Sequence, residues 1–122
     1  MTLAFIQTYT NKLQACEAAF EKIDKSSQQQ YVEMYRQFAP VYAVAKKIIF
    51  TRLDREPPVS INLLLSSQKI TVPSKNEILP HETEAGNFVD KVNAFADKIE
   101  KVAEALRAKN GNTLVSAFKQ YT

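Results

Sequence analysis

Three stretches of this 122-residue chain carry the same apolar rhythm, and that repetition leaves few folds open to it. Ile6, Tyr9, Leu13, Cys16, Phe20 and Ile23 recur at alternating spacings of three and four. So do Tyr31, Met34, Phe38, Val41, Ala45 and Ile48, and again Phe88, Val92, Phe95, Ile99, Val102 and Leu106. Successive helical residues turn by about 100°, so each set falls on one stripe of a helix. The rhythm predicts helices over about Leu3 to Asp24, Gln28 to Leu53 and Pro80 to Gly111. Each has one face to bury, and matching stripes imply an antiparallel bundle packed at shallow angles. The predicted fold class is all-α, one domain over residues 1–122. The chain has two glycines, Gly86 and Gly111, which fits, because all-β folds need many tight turns.

Residues at the segment ends agree with these boundaries. Ser26 or Ser27 can cap the second helix. Glu82 and Glu84 suit the positive end of the third, and Arg107 and Lys109 its negative end. Asn110-Gly111 tolerates a left-handed cap. Pro40 falls inside the second helix, and a lost hydrogen bond there predicts a kink or split near Gln37 to Pro40. Asn112 can cap a last short helix from Thr113 to Tyr121, with Leu114, Val115, Phe118 and Tyr121 on one side. From Asp54 to Pro80 the rhythm disappears among Pro57, Pro58, Pro73 and Pro80. Val59 to Leu65 reads as a short helix capped by Ser60 or as a strand, and Lys69 to Val72 leans extended. A connection of 27 residues is long for a helical domain, and such segments tend to be functional or mobile.

The side chains support little catalysis. His81 is the only histidine and Cys16 the only cysteine, and Cys16 sits on an apolar stripe where a thiol stays protonated and inert. A Cys–His dyad requires the fold to bring the two together. No glycine-rich loop followed by Lys-Ser or Lys-Thr is present to cradle a phosphate. His81, Glu82 and Glu84 are metal-ligand types, but zinc needs three or four convergent ligands, and acids at a helix start have a simpler use. Glu17 with Glu21, and Glu100 with Glu104, lie one turn apart without the histidines of a di-metal helix motif, so they read as solvated faces. The expectation is a non-enzyme with no catalytic residues, no metal and no cofactor. A lone cysteine excludes an internal disulfide and points to a reducing, cytoplasmic setting. The first residues lack the basic, apolar character of a secretory leader. The longest apolar run, Phe38 to Ala45, ends at Lys46-Lys47 and is too short to span a membrane.

Charge is the remaining signal. The chain carries +3, but residues 25–76 hold eight bases against three acids, +5, which leaves −2 elsewhere. A basic middle suggests an anionic partner. Arg36, Lys46, Lys47, Arg52 and Arg55, with Lys69 and Lys75 from the connection, are the candidate nucleic-acid-binding residues, because lysine and arginine neutralise phosphates without reading bases. Tyr35, Tyr42 and Phe50 interleave with them and can stack on bases if they face outward, or fill the core if they do not.

A small, basic chain with three matched stripes and the set Arg36, Lys46, Lys47, Arg52 and Arg55 resembles the small subunit of CRISPR interference complexes. In that family helical bundles stack in several copies along the belly of the complex and hold nucleic acid through basic side chains. The resemblance implies a non-catalytic subunit of a ribonucleoprotein that contacts the phosphate backbone of RNA or single-stranded DNA. Its protein partners would be other subunits or further copies of itself. The alternative is a helical protein–protein adaptor with no nucleic-acid role, its basic residues serving solubility or steering.

Overall fold

A computed structural model describes the backbone of residues 2–24 and 27–110, with the side chains of 4–24, 27 and 29–105. The elements are α1 (Thr2–Glu21), α2 (Gln28–Arg52), α3 (Val59–Ser67), α4 (Lys75–Ile78), a 3-10 turn (Leu79–His81) and α5 (Glu82–Asn110). Among the described residues there is no strand, and the fold is an all-α helical bundle. The short helix expected over Thr113 to Tyr121 lies outside the described residues.

The three stripes form the core. Ile6, Tyr9, Leu13, Cys16 and Phe20 of α1 are buried, as are all six stripe residues of α2 and Phe88, Val92, Phe95 and Ile99 of α5. Contacts at three levels set the direction of α5 against α2: Tyr31 meets Ile99, Phe38 meets Phe95, and Arg52 meets Glu82. Residue numbers rise on one helix as they fall on the other, so the two are antiparallel. Phe95 also receives Phe20 of α1. Its ring centroid lies 5.5 Å from Phe20 at 84° and 5.1 Å from Phe38 at 81°. Edge-to-face pairs of this kind add about 0.5–1.5 kcal/mol beyond the area they bury.

The central helix is α2, which packs on α1, α3, α4 and α5. Val41, Tyr42, Ala43, Val44 and Ala45 are all buried, so the helix is enclosed on every side at this level. Alanines at 43 and 45 keep the enclosing helices close. No split occurs at Pro40: α2 runs unbroken from Gln28 to Arg52. Pro40 cannot donate to the Arg36 carbonyl, but Arg36, Gln37 and Pro40 border an open groove where water can reach it. The flanking turns are held by packing on four neighbours, which outweighs one lost hydrogen bond. At its start Ser27 accepts a hydrogen bond from the Gln30 N–H at 3.4 Å, the cap the sequence offers.

The long connection is built rather than loose. Val59–Ser67 is a helix and not a strand, and Pro58 rather than Ser60 occupies its N-cap. Ile61 and Leu65 anchor it to the core, and Ile78 anchors α4. Lys69 to Val72 is without regular structure, with Ile70 and Val72 half-buried against the core. Both α2 and α3 end in the same hydrogen-bonded device. Asp54 N–H donates to Thr51 and Arg55 N–H to Phe50; likewise Lys69 N–H donates to Ser66 and Ile70 N–H to Leu65. That is the Schellman pattern, which needs a left-handed residue just past the helix. Asp54 (φ 55°) and Lys69 (φ 56°) fill that place where glycine is commonest. Before α4, the Glu77 carboxylate accepts from the Ser74 N–H at 3.1 Å and from its hydroxyl at 3.0 Å.

Candidate functional site

The seven cations singled out by the sequence do not share one environment. Lys46 and Lys47 are neighbours on α2, yet a turn of about 100° sends them apart. Lys46 Nζ lies 5.3 Å from the centroid of the Tyr42 ring, a cation–π approach. Lys47 Nζ donates to Asn62 Oδ1 of α3 at 3.2 Å, and the contact is half-buried. Arg36, well exposed, reaches Glu33 at 3.4 Å on the same helix.

Two of the remaining cations clasp the connection. Arg52 Nη2 donates to Glu82 Oε1 at 2.8 Å, joining the end of α2 to the start of α5. Lys75 Nζ donates to Asp54 Oδ2 at 2.7 Å, joining α4 to the left-handed turn after α2. Both pairs are partly exposed, so each contributes at most about 1 kcal/mol. Arg55 and Lys69 are exposed and ion-paired to no described residue. Thus Arg36, Arg52 and Lys75 face carboxylates, and Lys46 and Lys47 turn to different neighbours.

The aromatic side chains sort toward the core. Tyr42 is buried, and Tyr35 is half-buried and packed against the core. Phe50 is half-buried. Burial, reinforced by the Glu100 and Asp97 carboxylates, pushes the Tyr42 phenol up to about 12. A base cannot stack on a buried ring, so Tyr42 is core.

His81 sits in the 3-10 turn, its Nδ1 3.8 Å from Glu84 Oε1, beyond hydrogen-bond length. Cys16 is buried at the α1–α2 seam, and burial, with Glu17 adding to it and Lys12 opposing, pushes its thiol up to about 11. The groove that Cys16 lines does not include His81. Among the described residues, no three of His, Cys, Asp and Glu converge, and no helix is long and apolar enough to cross a membrane.

Exposed apolar side chains stand out, which the charge pattern did not indicate. Leu53 is 57% exposed, Val59 72%, Leu63 64% and Leu79 46%. Leu53 and Leu79 border one hollow of about 340 Å³, floored by Ile49 and rimmed by the Arg52–Glu82 pair. Val59 and Leu63 lie one turn apart on the outer face of α3, opposite the buried Ile61 and Leu65. The sequence did hold a signal for this. Leu63-Leu64-Leu65 sits in a nine-residue helix that buries a single side, so one of three consecutive leucines must face water. Comparison with protein-family models, curated proteins and solved structures gives no significant match.

Proposed function

We propose that the chain is a non-catalytic helical docking domain that binds an apolar helix face of another protein at the end of the bundle where α2 stops. The observation that carries this reading is the set of four exposed large hydrophobics, Leu53, Val59, Leu63 and Leu79, within one connection and its borders. Leaving such side chains in water forgoes about 1.5–3 kcal/mol each, and Leu53 with Leu79 at one hollow, and Val59 with Leu63 on one face of α3, are the kind of exposed apolar pairs an interaction site uses. The hollow between Leu53 and Leu79 suits an inserted leucine or phenylalanine, the anchor of a helix-in-groove interface. The Arg52–Glu82 pair supplies a polar rim.

Phosphate-backbone binding as a ribonucleoprotein subunit is the competing proposal. Lys46, Lys47, Arg55 and Lys69, none ion-paired to a described residue, would carry it. One experiment separates the two. A photo-crosslinking side chain is placed at Leu63 or Leu79, and at exposed Gln14 of α1 as control, in the native host. Docking predicts one protein adduct from positions 63 and 79 and none from 14, surviving nuclease. Leu53→Glu should abolish it without lowering Tm, and charge reversal at Lys46, Lys47 and Arg55 should not. Adducts equal at all three positions, or lost on nuclease treatment, would overturn docking in favour of nucleic acid or of no partner.

A further inference from the structure

A second hollow, of about 440 Å³, opens between α1, α2 and the turn that follows α3. We propose that this groove binds a small organic anion, a carboxylate carried on an apolar body. Its volume is that of a small-molecule site, and three separate elements line it.

The floor is apolar. Cys16 and Val41 are buried there, and Pro40 and Ile70 are half-buried. With its pKa pushed up to about 11, the Cys16 thiol is neutral at physiological pH and behaves as a small hydrophobe. Ile70 is held by the left-handed turn at Lys69, so this wall is part of the fold.

The rim is cationic. Lys12 comes from α1 and Arg36 from α2, with the amides of Gln37 and Gln68 beside them, and among the described residues no carboxylate lines the groove. Glu33 meets Arg36 from outside, through one contact of 3.4 Å between side chains that are 59% and 71% exposed. That contact is weak, and a guanidinium keeps further N–H donors in a fork that fits a carboxylate. An apolar floor beneath two cations selects against a bare inorganic anion, which gains nothing from the floor. It selects equally against a neutral apolar molecule, which leaves the cations unused.

The test is a titration of the full chain with octanoate, octanol and inorganic phosphate, followed by calorimetry and by amide NMR shifts. Saturable octanoate binding is expected, with shifts concentrated at Lys12, Cys16, Arg36 and Gln68. Octanol and inorganic phosphate should each bind at least about tenfold more weakly. Lys12→Gln and Arg36→Gln should each weaken octanoate by about tenfold, and Ala15→Leu should block the groove without changing its charge. Lys12, Ala15 and Arg36 are exposed, so these variants should keep the parent Tm. Octanoate that fails to saturate, shifts elsewhere, or binds the three variants as well as the parent would overturn the proposal. Tighter binding of inorganic phosphate than of octanoate would overturn its ligand class.

Discussion

The hydroxyl of Tyr31 donates to the backbone carbonyl of Ile99 across 2.6 Å of buried interior, tying the start of α2 to the far half of α5. The two residues are 68 apart in sequence, so the bond fixes the register of the longest helix pair. A mid-helix carbonyl can accept from its own helix as well, so Tyr31→Phe leaves it satisfied and removes only the phenol's bond. The expected cost is about 1 kcal/mol, read as a lower urea midpoint at unchanged m-value. Tyr31→Ala opens a cavity too and should cost about 3–5 kcal/mol. Equal losses for the two variants would show that the hydroxyl, rather than the ring, carries the contact.

Stability should fall in alkali. Burial raises Cys16 from 9.0 to about 11, and burial with Glu100 and Asp97 raises Tyr42 from 10.0 to about 12. Tyr31 is raised further, by burial first and Glu100 second. Between the unfolded and folded values the native state keeps a proton that the unfolded chain has released. The stabilisation is therefore complete below about pH 9 and is lost as pH rises through about 9–12, by about 1.4 kcal/mol per pH unit for each retained proton. Urea midpoints measured from about pH 7 to about pH 11 should stay level and then drop. Tyr42→Phe should shallow the drop, and a parent curve flat to about pH 11 would contradict the assigned burial.

Left-handed Lys69 makes a stabilising substitution available. A side chain at φ 56° costs about 1 kcal/mol relative to glycine, partly offset by glycine's freer unfolded state. Lys69→Gly should therefore raise stability by about 0.5 kcal/mol in thermal or urea unfolding. Asp54→Gly relieves the same strain but gives up the 2.7 Å pair with Lys75, so its gain should be smaller. A loss at Lys69→Gly would mean that its aliphatic stem, and not its backbone, matters to the turn.

The helices were legible because burial imposes a period. All six stripe residues of α2 are in the core, and the limits of α2 and α5 fall within two residues of those the stripes mark. What the stripe misses is enclosure on several sides. Tyr42, Ala43 and Val44 lie off it and are buried because α2 packs on α3 and α4 as well as on α1 and α5. The connection was less legible because its signals are short. Asp54 and Lys69 hold positions where glycine would have announced a helix end, and the start signal of α4, Ser74 with Glu77 three residues on, is only two residues strong. Charge was less legible for another reason. Sequence gives sign without direction, and Arg52, Lys75 and Arg36 each found a carboxylate that a running total cannot place.

Ile78 and Leu79 are adjacent, and their exposures are opposite. Ile78 is 1% exposed and pins α4 to the core, whereas Leu79 is 46% exposed at the edge of the hollow beside Leu53. Removing the first creates a cavity; removing the second removes surface from water. Ile78→Ala should cost about 2–5 kcal/mol, and Leu79→Ser should change stability by no more than about 0.5 kcal/mol. The order reverses for binding. If the docking surface is the one bounded by Leu53 and Leu79, Leu79→Ser abolishes the crosslinked adduct from position 63 while the fold is untouched. Folded Ile78→Ala, held below its unfolding temperature, keeps that adduct. A Leu79→Ser protein that loses stability as Ile78→Ala does would place Leu79 in the core instead, and the hollow would then be packing rather than a site.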